Sequence, residues 1–190
     1  ASYNTAVGVI ALATNEGAYN TAVGSSALTA NSTGESNVAI GYNAMDANTT
    51  GAENVAVGLN ALGANTTASN NTALGAATLD ANTTGTQNVA VGKSALGACT
   101  TGSYNTSVGY AALDGLTTAS YNTAFGHEAL TAAVSGANNT GIGVGALQAN
   151  TTGSANTAVG KGAGTAITTG TSNVAIGYLA LDAATTQSDN

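Results

Sequence analysis

The chain has 190 residues, two lysines and no arginine against nine acidic residues, and a net charge of −7. Phosphate contacts need a basic footprint, so nucleic acid is excluded as a partner and an anionic membrane surface is disfavoured. The single cysteine, Cys99, has no second thiol with which to close an intrachain disulfide.

Taken from the N-terminus, Ala1-Ser2-Tyr3 already lies inside a repeat, and no signal peptide is expected there. The Asn that opens each copy falls at Asn4, Asn20, Asn37, Asn54, Asn71, Asn88, Asn105, Asn122, Asn139, Asn156 and Asn173, in steps of 17 after a first step of 16. We number the repeat from this Asn. Position three is small, position four is apolar, and position five is Gly in all eleven copies. Position eight is Ala in ten copies, and position nine is Leu in nine. A polar stretch such as Ala81-Asn82-Thr83-Thr84-Gly85 completes the unit. Asp189-Asn190 stop where another copy would open, so the expectation is one repetitive domain over residues 1–190, part of a longer fibre.

A period this short fits one coil of a β-solenoid better than a helix pair. The opening residues alternate with period two, which predicts a strand. Gly at position five predicts a corner, the "AL" element a second short strand, and the Asn-Thr-Thr-Gly stretch a turn. The fold class expected is therefore all-β, a parallel β-roll or β-solenoid of about eleven 17-residue rungs. In-register rungs about 4.8 Å apart would give a rod of roughly 50 Å.

Stacking turns each repeat position into a column. The apolar residue at position four (Ile40, Val57, Val91) and Leu at position nine (Leu96) are expected to face each other as a thin core. Ala at positions three and eight would admit a second surface. The Asn column (Asn37, Asn54, Asn88) is expected to form an amide ladder, and the Gly column (Gly41, Gly58, Gly92) the corner. Position ten reads Asp46, Gly63, Asp80, Gly97, Asp114, with no Asp on consecutive rungs. Stacked carboxylates would repel, so the alternation supports an in-register parallel stack. Cys99 stands where most copies have Asn, and reads as a substitution without chemistry. Phe125 is oversized for position four, which predicts local distortion or aromatic contact between chains. Gly164 leaves a gap where Leu belongs, and Ile167 of the same rung is expected to fill it.

At "NTAVGxxALxANTTG" the chain resembles the head repeats of YadA-like trimeric autotransporter adhesins. It resembles still more closely the "NTAIGYQAL…NTTG" arrays of phage tail fibres and bacterial surface proteins. The resemblance covers nearly the whole chain. It implies a left-handed parallel β-roll, three chains around a three-fold axis, and architectural roles for Asn37, Ile40 and Gly41. The rung here is longer than in the adhesin heads, and the extra residues are expected in the Asn-Thr-Thr-Gly turn.

No catalytic site is expected. His127 and Glu128 are adjacent, yet a smooth rod offers them no pocket. One His and one Cys do not make a metal centre, and no cofactor is expected. Asn-x-Ser/Thr stretches, such as those at Asn31, Asn48, Asn65, Asn70, Asn82, Asn138 and Asn150, match the glycosylation acceptor. Tyr42, Tyr104, Tyr110, Tyr121 and Tyr178 are candidate ligand-contact residues, able to stack on sugars. The expected function is a structural or adhesive fibre segment outside the cell, on its surface or on a virion. Its expected partners are further copies of itself, joined laterally and end to end, and a host surface or glycan. No apolar run is long enough for membrane insertion. The alternatives are an ice-binding solenoid, suggested by the Thr-Thr column, and a carbohydrate-binding surface module.

Overall fold

A computed structural model describes residues 2–183 and 185–189. Every strand has three residues: β1 (Thr5–Val7), β2 (Thr21–Val23), β3 (Val38–Ile40), β4 (Val55–Val57), β5 (Thr72–Leu74), β6 (Val89–Val91), β7 (Thr106–Val108), β8 (Thr123–Phe125), β9 (Thr140–Ile142), β10 (Thr157–Val159) and β11 (Val174–Ile176). They form one parallel sheet in chain order, β1 to β11. Each residue pairs with its equivalent in the next copy, as in Val38↔Val55, Ala39↔Ala56 and Ile40↔Val57. The chain is thus an all-β solenoid, one strand per turn, with 17-residue spacing.

A three-residue strand points its middle side chain one way and its two flanking side chains the other. The middle residue is the buried one. Ala22, Ala39, Ala56, Ala73, Ala90, Ala124 and Ala158 lie fully inside, with Ala at position eight and Leu at position nine. This corrects the expected core: Ile40, Val57 and Val91 lie on the outer face of the sheet, and Ala at position three packs inward. The interior takes little more than a methyl at position three. A Cβ on Gly141 would come 3.3 Å from Leu130 Cγ, and the Ser107 hydroxyl has room because it donates to the Ala112 carbonyl at 2.7 Å.

Two amide columns complete the interior. At position one, each Asn Oδ1 from Asn4 to Asn156 accepts the backbone N–H of the next opening Asn, as in Asn37 N to Asn20 Oδ1 at 2.9 Å. Its Nδ2 donates to the position-fifteen carbonyl of its own rung, as Asn37 does to Gly51 O at 2.8 Å. The expected ladder exists, but backbone N–H groups make its regular rungs. At position twelve, side chains bond directly: Asn31, Asn48, Asn65 and Asn82 each donate Nδ2 to the Oδ1 of the rung before, at 2.6–3.1 Å. All these side chains are buried, so their amides need partners inside the protein.

The corner glycine is required twice. Gly58 has φ +140°, and a Cβ there would lie 2.4 Å from the Gly75 carbonyl oxygen of the next rung. Beyond it no second strand forms among the described residues. Positions seven and nine adopt left-handed φ, for example Asn43 at 52° and Met45 at 52°. The alternation turns successive N–H groups to opposite neighbours: Asn43 N–H donates back to Ser25 O, and Met45 N–H forward to Ala61 O. Inter-rung bonding therefore continues without extended backbone. At position thirteen the hydroxyl joins in, as Thr49 Oγ1 donates to Thr66 O at 2.9 Å.

The gap at Gly164 is filled as expected. Ile167 is 1% exposed, and its Cδ1 lies 3.1 Å from where a Gly164 Cβ would sit. The distortion expected at Phe125 is not found: Val108↔Phe125 and Phe125↔Ile142 keep the common register. Phe125 points outward, so its size never reaches the core.

Candidate functional site

The outer face of the sheet leaves large apolar side chains exposed along the stack. Because positions two and four share it, it presents Thr or Val beside Val, Ile, Leu or Phe on every rung. Exposure reaches 57% at Phe125, 59% at Val7 and 69% at Ile176. Ile40, Leu74 and Ile142 are also exposed, and Val57 and Val91 are half-buried by their column neighbours. The strip runs the length of the rod and carries no charged side chain at either position. Apolar patches of such extent mark interaction surfaces.

Tyrosines border this face on both sides. Tyr104 and Tyr121, at position seventeen, stack on each other with ring centres 5.0 Å apart. Tyr110, at position six, stacks on His127 at 5.1 Å. Tyr42 and Tyr178 share the position-six column but lie eight rungs apart, about 38 Å at the usual strand spacing. Among the described residues neither stacks on another ring. The five candidate tyrosines therefore do not converge on one site. Tyr104, Tyr110 and Tyr121 belong to neighbouring rungs, and Tyr42 and Tyr178 stand apart.

The rod is not wholly smooth, which corrects the expectation that it offers no pocket. Gly145 and Gly162 remove two successive side chains from position seven and leave a notch of about 330 Å³ beside His127, Glu128 and Lys161. Glu128 Oε2 accepts from Gln148 Nε2 at 2.8 Å and lies 4.0 Å from His127 Nδ1. A second hollow, of about 460 Å³, lies along the alternating Asp column. Asp80 Oδ1 and Asp46 Oδ1 stand 2.8 and 3.7 Å from the point where a Gly63 Cβ would sit. Desolvation raises the pKa of both carboxyls, and the charge of Asp46 adds to the rise at Asp80. Gly63 thus separates two carboxylates that adjacent rungs would have pressed together. Among the described residues, no group of three or more His, Cys, Asp or Glu side chains is placed to hold a metal ion.

Cys99 is buried in the position-twelve column, its Sγ 3.6 Å from Gly102 O, and burial pushes the thiol up to about 11. A thiol so held is protonated and shielded at neutral pH. Of the acceptor-like asparagines, Asn31, Asn48, Asn65, Asn82 and Asn150 are fully buried, as is Asn105 of the further stretch Asn105-Thr106-Ser107, while Asn70 and Asn138 are exposed at position seventeen. No helix is long and apolar enough to cross a membrane among the described residues. Comparison of the chain with family models, with curated proteins and with solved structures yields no match.

Proposed function

We propose that the chain is a structural segment of an extracellular or virion-borne fibre, in which three copies pack their outer sheet faces around a common axis. What supports this reading is the apolar column at position four, which runs unpartnered along every rung. A three-fold arrangement would cover it once per chain and bring Phe125 against its two symmetry mates. The left-handed coil and the three-fold assembly follow from the resemblance to adhesin heads and tail-fibre arrays. On this reading the protein acts through length and stiffness, with no catalytic step and no cofactor. Further segments of the same fibre, or a host surface or glycan, are its partners.

The test is to place charge on the face without touching the fold. Ile40→Lys and Val57→Lys put ammonium groups on outward positions that no intrachain core needs. The reading predicts dissociation to folded single chains with unchanged far-ultraviolet circular dichroism. Assembly that persists in the double variant would refute it.

One observation favours a second reading, ice binding. The same face carries outward Thr at Thr5, Thr21, Thr72, Thr106, Thr123, Thr140 and Thr157, in register. Exposed Thr also recurs at position fourteen, as at Thr33, Thr50, Thr67 and Thr84. A flat array of repeating hydroxyl and methyl groups can order water on a lattice. Thermal hysteresis by a monomeric chain would select this reading over the fibre.

A further inference from the structure

Two pairs of tyrosines share one geometry. Tyr3 and Tyr19 stack with ring centres 5.2 Å apart and planes 4° from parallel, and Tyr104 and Tyr121 at 5.0 Å and 3°. All four stand directly before an opening Asn, on left-handed backbone with φ between 60° and 64°. Inter-rung hydrogen bonds fix the backbone beneath them: Tyr19 N–H donates to Ser2 O and Tyr121 N–H to Ser103 O, both at 3.2 Å. The rings themselves are open to solvent, least so at Tyr104 with 49% exposed. Each pair therefore holds two accessible phenols face to face, one rung apart, on a rigid base.

We propose that these pairs are sites of oxidative coupling to dityrosine, a covalent staple between successive rungs, formed by a haem peroxidase with hydrogen peroxide. Each phenol loses one electron and its hydroxyl proton to give a phenoxyl radical, whose spin lies partly on the ring carbons ortho to oxygen. One ortho carbon of Tyr104 then bonds to one of Tyr121. The hydrogen on each joined carbon moves to oxygen and restores both phenols. Overall two ring C–H bonds and one O–O bond break, one C–C bond and two water molecules form, and peroxide is the species reduced. Rotation of exposed side chains is fast, on the ps–ns scale, so stacked rings sample the coupling geometry often. Holding both reactants on one scaffold favours that pair over encounters between molecules. Tyr42 and Tyr178, exposed and without a ring neighbour among the described residues, provide the internal comparison.

This inference does not depend on the fibre reading, because both rings of each pair belong to one chain. The test treats the full chain with peroxidase and hydrogen peroxide at low protein concentration. The readouts are dityrosine fluorescence, chain mass under denaturing conditions, and the linked peptides. The expected result is single-chain mass reduced by two hydrogens per link, with residue 104 joined to 121 and residue 3 to 19. Tyr121→Phe keeps a stacked ring but cannot form the second phenoxyl, so it should abolish the 104–121 link and about halve the fluorescence, leaving one of two pairs. Products joined mainly between chains, links to Tyr42 or Tyr178 as frequent as the 104–121 link, or no dityrosine where free tyrosine couples, would overturn the assignment.

Discussion

Asn48 donates its Nδ2 to the Oδ1 of Asn31 at 2.7 Å, one rung away and fully buried. That column continues through Asn65 and Asn82, then stops at Cys99, Leu116 and Ala133. Each break leaves a trace. Asn82 Oδ1 has no donor, because Cys99 brings no amide, and Asn150, between Ala133 and Ile167 in the column, has neither side-chain atom paired. An unmade buried bond costs about 1–3 kcal/mol, whereas an apolar replacement of suitable shape removes that penalty. Asn150→Leu, which copies Leu116 of the same column, is therefore expected to raise stability by about 1–2 kcal/mol. Asn48→Leu removes a donor from Asn31 and an acceptor from Asn65, and is expected to lower stability by about 2–4 kcal/mol. Denaturant titration of the two variants should give opposite signs.

The corner glycines separate backbone strain from collision. Gly92 (φ +126°) would place a Cβ 2.5 Å from Gly109 O, whereas Gly177 (φ +121°) has nothing within 4 Å. Gly177→Ala should cost only the strained φ, about 1–3 kcal/mol. Gly92→Ala should cost that plus a displaced rung, and is expected to break the solenoid locally. Hydrogen exchange of the amides of residues 106–109 should rise sharply in Gly92→Ala, and Gly177→Ala should leave them protected.

Acid should stabilise this protein where acid weakens most. Desolvation raises the folded-state pKa of Asp46, Asp80 and Asp114 above the ordinary 3.8. Between 3.8 and each raised value the folded chain binds more protons than the unfolded chain, so stability falls as pH rises through that window. The penalty is fully present above the folded pKa and relieved below it. Lowering pH from neutrality toward 3.8 should thus raise the thermal midpoint. In a variant with all three aspartates changed to Asn, that rise should be much smaller. A midpoint that drops on acidification would show that other groups dominate.

Much of the architecture is legible in the residues because stacking makes each position a column. The 17-residue step, the Asn column at position one, the corner glycine and the filling of Gly164 by Ile167 all follow from reading down those columns. Two things do not. Period two places positions two and four on one face, but in a strand of three residues it leaves open which face is inside. Hydrophobicity favours Ile40 and Val57 for the interior. The molecule instead fills a narrow interior with Ala39, Ala56, Leu62 and two buried amide columns, and leaves the larger side chains on the sheet. The left-handed residues are also silent in sequence: Leu62 and Leu96 have φ 52°, a conformation Leu disfavours by about 1–2 kcal/mol. Only the inter-rung bonds that this backbone makes explain it, and these appear once the rungs are stacked. For the same reason the "AL" element reads as a strand and is not one. The candidate tyrosines were visible as residues, but their pairing by column depends on the register.

The central claim is that the outward apolar column is a surface these chains share. Absolute mass by light scattering across a dilution series, with electron microscopy of the same sample, tests it most directly. The account predicts a particle of three times the 18.0 kDa chain mass that persists on dilution and images as a straight rod. A stable particle of single-chain mass would contradict it.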